Sequence, residues 1–180
     1  MVNMVNPNGT VTGGSLGPKP IIGVMGPAEN ARTVDLDRAY HLGQRIGQQG
    51  WILLTGGRGA GVMEAASRGA KETGGLTIGI LPGAKPDLVS SYVDISICTD
   101  VGYGRNNING LTSAVLIACG MGLGTASEVA LALKNQKPVI LLGVDATSQM
   151  FFRQLCTVGL YITRDVEETI DLIKRLLKNR

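Results

Sequence analysis

Short apolar runs alternate along the chain with longer segments in which apolar residues recur every three or four positions. The short runs predict buried strands, and the recurring spacing predicts amphipathic helices. Seven strands are predicted, at residues 21–25, 51–55, 77–81, 93–98, 114–118, 139–142 and 161–162. Helical spacing lies between most of these strands and again in residues 166–178, where the chain ends in an amphipathic helix.

The alternation of strand and helix predicts right-handed crossovers and therefore parallel strand pairing. The strands are uninterrupted apolar runs, which is expected when helices cover both faces of a sheet. We therefore predict an α/β fold, namely a three-layer, Rossmann-like, doubly wound sheet that is mainly parallel and has about seven strands. Residues 1–18 are rich in Asn, Gly, Ser and Thr, so we expect a flexible arm followed by a single ligand-binding domain at residues 19–180.

The composition narrows the classes of partner. Aromatic residues make up 4% of the chain and no basic stripe is interleaved with them, which argues against nucleic-acid binding. The net charge of +3 fits a small anionic ligand. No segment reaches the length of a membrane span and no signal peptide is visible, so we expect no membrane partner.

The cysteines and the histidine limit the redox and metal chemistry. Cys98, Cys119 and Cys156 show no C-x-x-C spacing, and the first two end apolar runs. We expect them to behave as small buried hydrophobic side chains in a reducing cytoplasm. His41 is the sole histidine, which excludes a histidine-based metal site.

Three glycine-bearing turns follow predicted strands, at residues 26–28, 55–61 and 119–125. Glycine lets the backbone approach a ligand closely, and the start of the next helix offers unpaired N–H groups and a positive dipole end. In doubly wound sheets, ligands bind at the carboxyl ends of strands, so these turns predict a site for a phosphorylated small molecule. The predicted binding residues in the turns are Gly26, Pro27, Gly56, Gly57, Arg58, Gly59, Gly120, Met121, Gly122, Leu123, Gly124 and Thr125.

Two common phosphate-binding motifs are absent from these turns. The dinucleotide fingerprint G-x-G-x-x-G would require glycine at positions 62 and 125, which hold Val62 and Thr125. A Walker A loop requires a Gly-Lys-Ser/Thr sequence, and none of the turns has the lysine. We therefore predict neither a nicotinamide-dependent dehydrogenase nor a P-loop NTPase.

Arg105 and Glu128 are the two charged residues between Val101 and Leu133. Both are expected near the carboxyl edge of the predicted strand at 114–118, where the arginine could bind a phosphate or polarise a substrate. The glutamate could accept a hydrogen bond from a sugar hydroxyl or act in acid–base chemistry. Glu128 also stands three residues after Thr125, the spacing of a helix-capping box, so a purely structural role stays open.

Two further residues complete the predicted site. Asn106 adds a polar group beside the arginine, although asparagine is also common in turns. Met63 follows the second glycine turn, where it could pack against a flat heterocycle or belong to the core.

The glycine and charged residues together resemble a known family. Residues 122–128 (GLGTASE) resemble the second half of the PGGxGTxxE signature of the LONELY GUY family, and Arg105 stands at the spacing of that family's essential arginine. The resemblance extends over roughly residues 20–175. It implies, for the enzymatic branch, hydrolysis of cytokinin nucleoside 5′-monophosphates to free base and ribose 5-phosphate, with Arg105 and Glu128 as the catalytic pair.

The sequence differs from the enzymatic branch at three points. Gly120-Met121-Gly122 replaces Pro-Gly-Gly, Asn106 replaces a lysine, and Ser127 stands where many enzymes have a second glutamate. A second branch, the molybdenum cofactor carrier proteins, is more similar in detail. The segments that carry this similarity are GGRGAGVMEAASRGAKETGGLTIGILPG, GRNNING and CGMGLGTASEVALAL.

This resemblance implies a cytoplasmic carrier that binds and protects phosphorylated, oxygen-labile molybdopterin and delivers it to molybdoenzymes or cofactor-insertion proteins. The turn at 122–125 would hold the terminal phosphate, and the other two turns would line the pterin. The carrier would have no catalytic residue and no metal ligand of its own, and it would form a homo-oligomer, a dimer or a tetramer. The alternatives are a phosphoribohydrolase and a non-catalytic module that binds an AMP-like nucleotide.

Overall fold

The computed structural model describes residues 17–178, so the predicted arm lies outside the described residues except for its last two positions. Seven strands occur in this part of the chain: β1 (Ile21–Met25), β2 (Ile52–Thr55), β3 (Leu76–Leu81), β4 (Ile95–Cys98), β5 (Val115–Cys119), β6 (Val139–Leu142) and β7 (Leu160–Thr163). They form one sheet in the order β4-β3-β2-β1-β5-β6-β7, and each neighbouring pair is parallel. The predicted doubly wound parallel sheet is confirmed.

Six α-helices connect and cover the strands. They are α1 (Thr33–Gln48), α2 (Gly61–Glu72), α3 (Arg105–Thr112), α4 (Leu123–Lys134), α5 (Ala146–Leu155) and α6 (Val166–Lys178), with a 3₁₀ turn at Gly102–Gly104 directly before α3. Helices α1, α2 and α6 pack into one apolar cluster on the sheet, and α3, α4 and α5 pack into the other. The fold therefore has three layers, as predicted.

Strand β5 shows why the apolar runs are uninterrupted. Val115 and Ile117 face the cluster of α1, α2 and α6, whereas Leu116 and Ala118 face the opposite cluster. All four side chains are fully buried. Because burial of a large aliphatic side chain contributes about 1.5–3 kcal/mol, both faces of this strand stabilise the fold.

The order of the strands reverses at β1. The chain builds outward from β1 to β4, and then β5 pairs with the other side of β1 and the chain builds outward to β7. The helix after β1 covers one face of the sheet and the helix after β5 covers the other. The loops that leave these two neighbouring strands therefore diverge and open a crevice at their carboxyl ends.

Two cysteines differ from the sequence-based prediction of burial, since Cys98 is exposed and Cys156 is only partly buried. Cys98 was expected to be buried, but it is exposed because β4 is the edge strand and all four of its residues are exposed. Cys119 is buried as predicted, and burial raises the pKa of its thiol to about 12. In residues 17–178, no helix combines the length and apolar character needed to cross a membrane.

Candidate functional site

A cleft of about 440 Å³ lies at the carboxyl ends of β1, β2 and β5, where the strand order reverses. Its walls come from the loop after β1, the turn between β2 and α2, the start of α3 and the start of α4. The predicted site residues that line it are Gly26, Pro27, Gly56, Arg58, Met63, Arg105, Asn106, Gly122, Leu123, Gly124, Thr125 and Glu128. The structure therefore brings all three glycine-bearing turns to one place.

Two of the other predicted glycines, Gly57 and Gly120, pack against protein atoms and do not line the cleft. Gly57 has a φ of +77°, and a Cβ there would lie 2.9 Å from Leu81 Cδ2 and 3.0 Å from Gly79 Cα. Gly120 also has a φ of +77°, and a Cβ there would lie 2.7 Å from Oδ2 of Asp35. These glycines are needed for backbone conformation and packing, and neither lines the cleft.

The remaining two predicted residues also lie outside the cleft lining. Gly59 lines a neighbouring cavity together with Glu64. Met121 is partly buried and packs against the core cluster on the α4 side of the sheet. The sequence pattern could not separate these residues from the lining ones, because which residues of a turn reach the cleft depends on tertiary packing.

The start of α4 presents unpaired backbone N–H groups to the cleft. Gly122 is the N-cap residue, and no side chain among residues 17–178 caps this end of the helix. A Cβ on Gly124 would meet none of the described atoms within 4 Å, so the backbone of the first turn is open to the cleft. Unpaired N–H groups and the positive end of the helix dipole together form a site for an anion.

Arg105, the first residue of α3, is held in a fixed orientation. Its Nη1 donates to the carbonyl oxygen of Gly56 and, over 2.5 Å, to that of Ile80. Burial lowers the pKa of the Arg105 guanidinium, and the nearby charge of Glu128 opposes that shift. Since arginine stays charged under physiological conditions, this side chain places a fixed positive charge at the cleft.

Arg58 supplies a second positive charge from the turn between β2 and α2. Its Nη2 lies 3.3 Å from Oε1 of Glu29, which belongs to the loop after β1. The charge of Arg58 also contributes to the lowered pKa of Arg105, so the two guanidinium groups act on the same region. The two positive charges therefore favour the binding of anions in the cleft. The carboxylate of Glu29 already lies beside one of them, the guanidinium of Arg58.

Glu128 lies in the second turn of α4 and is only 7% exposed. Its Oε1 accepts a hydrogen bond of 2.8 Å from Nδ2 of Asn109. Burial raises the pKa of Glu128 to about 7, against the opposing effects of Asn109 and Arg105. Because α4 begins two residues before Thr125, the capping-box interpretation of Glu128 is wrong, and the side chain instead forms part of the cleft.

Several lining residues were not in the predicted set: Met25, Ala28, Glu29, Asn30 and Tyr103. Asn30 has a φ of +58°, a conformation that asparagine tolerates better than most residues. Two sequence features could have marked these missed residues: an asparagine in the loop after β1, and a tyrosine between two glycines just before Arg105. Met63 is 6% exposed and also lines the cleft, so it belongs to the core and still reaches the site.

A doubly wound parallel sheet with a glycine-walled, positively charged cleft at its reversal point defines a Rossmann-like protein that binds small molecules. The comparison with family models is more specific. The chain belongs to the SLOG cluster4 family, whose model matches residues 19–170.

Two solved structures of high similarity come from different organisms. The molybdenum cofactor binding protein of the phototrophic bacterium Rippkaea orientalis is 59% identical, with a TM-score of 0.87, over 89% of this chain and 98% of that chain. The molybdenum cofactor carrier protein of Chlamydomonas reinhardtii is 52% identical, with a TM-score of 0.85, over 89% of this chain and 99% of that chain. The similarity predicted from the sequence motifs is confirmed.

Two relatives extend the comparison. An uncharacterized protein of Archaeoglobus fulgidus is 47% identical over 67% of this chain and 78% of its own length. A cytokinin riboside 5′-monophosphate phosphoribohydrolase of Mycobacterium tuberculosis is 31% identical over 52% of this chain and 51% of its own length. The relationship to the LONELY GUY superfamily is therefore confirmed as well.

Proposed function

We propose that this protein is a molybdenum cofactor carrier, which binds the phosphorylated pterin cofactor in the cleft and holds it for delivery. The observation that carries this proposal is the uncapped start of α4, which opens into a cleft that also contains Arg105 and Arg58. The high identity to a cofactor carrier and a cofactor binding protein, over nearly their whole lengths, supports the choice of ligand.

The residues present fit such a ligand. The cleft volume of about 440 Å³ falls in the range of roughly 300–1,000 Å³ that is usual for small-molecule sites. The open space beside Gly124 leaves room for a phosphate against the backbone N–H groups of the first helical turn. The two arginines supply opposite charge for that phosphate.

Each lining group then has a role in binding rather than in a reaction. Residues 122–125 hold the phosphate, and Arg105 attracts it from the side of α3. Glu128 donates a hydrogen bond to the ligand when it is protonated and accepts one when it is ionised. Met63 offers a polarizable apolar surface to the pterin.

Anaerobic equilibrium binding of purified molybdenum cofactor tests the proposal. AMP and an isoprenylated AMP are measured alongside, and released base is monitored. Saturable binding of the cofactor without base release is the expected result. Failure to bind the cofactor would contradict the carrier function.

One observation favours a second candidate, a phosphoribohydrolase. Arg105 and Glu128 form the pair that such an enzyme would require, and both line the same cleft. Base release from either nucleotide, abolished in Glu128→Gln, would assign the protein to this activity. Nucleotide binding with neither base release nor cofactor binding would identify a non-catalytic nucleotide-binding module instead.

We also propose that the chain acts as a cytoplasmic homo-oligomer, a dimer or a tetramer, and delivers its ligand to molybdoenzymes or cofactor-insertion proteins. Four large apolar side chains are exposed on α5 or just after it: Met150, Phe151, Leu155 and Val158. Their exposure supports an interface between copies of the chain. Free thiols at Cys98, Cys119 and Cys156 support a reducing compartment. Light scattering on the purified protein gives the oligomeric state.

A further inference from the structure

Two large apolar side chains stand almost fully exposed where they line the cleft. Tyr103 is 91% exposed and Leu123 is 95% exposed, and both contribute to the cleft wall. An exposed leucine or tyrosine gains almost nothing from burial in the folded chain, so neither residue is explained by the stability of the fold. We call Tyr103 and Leu123 the rim pair.

The rim pair is attached directly to the anion-binding elements. Tyr103 lies in the 3₁₀ turn two residues before Arg105, and Leu123 is the first residue of α4, directly before Gly124. Tyr103 is flanked by Gly102 and Gly104, and Gly102 has a φ of +54° with no neighbouring atom within 4 Å of its Cβ position. A ligand whose phosphate lies at the start of α4 would therefore meet both side chains.

Deeper in the cleft the buried lining is mixed. The buried polar groups there include Asn106, Thr125 and Glu128. Met25 and Met63 lie beside these polar side chains and supply buried apolar surfaces. A flat heterocycle gains most when both of its faces contact apolar or aromatic groups. The rim pair supplies such groups at the cleft entrance.

We propose that Tyr103 and Leu123 pack against the flat ring of the ligand while its phosphate binds at the start of α4. The ligand class is a planar heterocycle joined to a phosphate, and its identification as molybdopterin rests on the proposed function. The rim pair thus determines specificity for the ring, and the helix start determines specificity for the phosphate.

Ligands with and without the ring test this division. Dissociation constants are measured for molybdenum cofactor under anaerobic conditions, for AMP, and for ribose 5-phosphate, which shares the sugar and phosphate of AMP but lacks the base. Tyr103→Ala is expected to weaken binding of the cofactor and AMP about tenfold, as loss of an aromatic stacking surface does, and to change ribose 5-phosphate binding less than about twofold. Leu123→Ala is expected to weaken the two ring-bearing ligands about threefold.

Two control variants accompany these measurements. Tyr103→Phe keeps the ring and is expected to bind all three ligands within about twofold of the unmodified protein. Val158→Ala removes another exposed apolar side chain, which lies at the amino end of β7, away from the cleft, and is expected to leave the affinities for all three ligands unchanged.

Each contrary result is decisive. Equal weakening of ribose 5-phosphate and AMP by Tyr103→Ala, or no weakening of either ring-bearing ligand, would overturn the rim-pair proposal. A changed molecular mass in light scattering with unchanged ligand binding would overturn it too, in favour of a contact between copies. If the unmodified protein fails to bind the cofactor, the carrier function is contradicted. The rim-pair proposal is then tested by the affinities of the unmodified protein for AMP and for ribose 5-phosphate. Equal affinities for these two ligands would overturn the rim-pair proposal.

Discussion

The turn between β2 and α2 and the turn between β5 and α4 both place glycines at the start of a helix, but the glycines meet different surroundings. Gly61, at the start of α2, has a φ of +56°, and a Cβ there would lie 2.3 Å from the carbonyl oxygens of Pro27 and Ala28. Gly124, in the first turn of α4, has no atom of the described part of the chain within 4 Å of its Cβ position. The first glycine is enclosed by the protein backbone, and the second faces the open cleft.

The difference shows that a glycine-rich turn can shape a site in two ways. The turn before α2 lets the loop after β1 pack tightly against it, which fixes the outer wall of the cleft. The turn before α4 leaves its backbone exposed, so its N–H groups are available to an anion. The identity of the residue is the same in both turns, and only the tertiary surroundings separate the enclosed glycine from the one that is open to the cleft.

The largest expected effect is on the enclosed glycine. Gly61→Ala would create a backbone clash in a left-handed conformation, so we expect it to lower the free energy of unfolding by about 3 kcal/mol or more. Urea denaturation followed by circular dichroism measures the loss. A fully stable Gly61→Ala protein would show that the loop after β1 can move away, and the contrast between the two turns would no longer hold.

Arg105 connects the two turns, because it donates to the Gly56 carbonyl oxygen and lines the same cleft as the start of α4. Arg105→Met is expected to weaken binding of a phosphorylated ligand about 100-fold, since charge-assisted contacts in a partly buried site are strong. Isothermal titration calorimetry provides the constants. Arg153→Met, which removes an exposed arginine on α5, is the matched control and should leave affinity unchanged.

Gly124→Ala is the counterpart of Gly61→Ala at the open turn. The added methyl group meets no protein atom, so the free energy of unfolding should stay equal or rise by up to about 1 kcal/mol, because alanine favours a helix. The same methyl group occupies space meant for the ligand, and we expect about tenfold weaker binding. Loss of stability together with unchanged binding would reverse the roles assigned to the two turns.

Glu128, one turn beyond the open turn, makes stability depend on pH. Its pKa of about 7 lies above the ordinary value of 4.5, so between these values the folded protein binds more protons than the unfolded chain. The contribution of the protonated form is therefore complete below about pH 4.5 and is lost as the pH rises through about 7. Glu128→Gln should flatten the decline in unfolding free energy, measured by urea denaturation, over this range.

The partner of Glu128 fits both protonation states. Nδ2 of Asn109 donates to the carboxylate, and among the described residues the buried Oδ1 has no hydrogen-bond partner. Rotation of this amide would let Asn109 accept a hydrogen bond from a protonated Glu128 instead. A pH dependence that persists unchanged in Glu128→Gln would assign the titration to another group.

The smallest expected effect concerns the ion pair between Arg58 and Glu29 at the first turn. Exposed ion pairs contribute at most about 1 kcal/mol, and here the carboxylate competes with an anionic ligand for the guanidinium group. Glu29→Gln is expected to tighten binding of a phosphorylated ligand about two- to threefold, by fluorescence or calorimetric titration. Weaker binding would mean that Glu29 contacts the ligand directly.

Strand and helix positions could be predicted closely because the apolar runs are uninterrupted and well separated. The predicted ends were off by one or two residues at several elements, including β4, which was predicted at residues 93–98 and is observed at Ile95–Cys98. The sequence pattern also predicted burial for Cys98, since it gives no sign that β4 is an edge strand.

The site could be predicted where a motif marks it and not where tertiary contacts create it. The segment from Gly122 to Thr125 was predicted residue by residue, because glycine and threonine at a helix start have a local physical meaning. Glu29 was missed because its place at the cleft depends on the path of the loop after β1. The raised pKa of Glu128 depends on burial beneath α3, which no local pattern reports.

The reversal of strand order between β1 and β5 has a consequence for folding during synthesis. The cleft lies where the pairing of β1 with β5 ends, at Met25 and Ala118, so it cannot form until a late segment of the chain has paired with an early one. Such distant contacts slow folding, because a long loop must close before the pairing stabilises anything. A nascent chain that ends before α4 lacks the anion-binding turn, so the ligand can be captured only after most of the protein has been synthesised. Once bound, the ligand stabilises only the completed sheet, and its concentration in the cell then affects how much folded carrier persists.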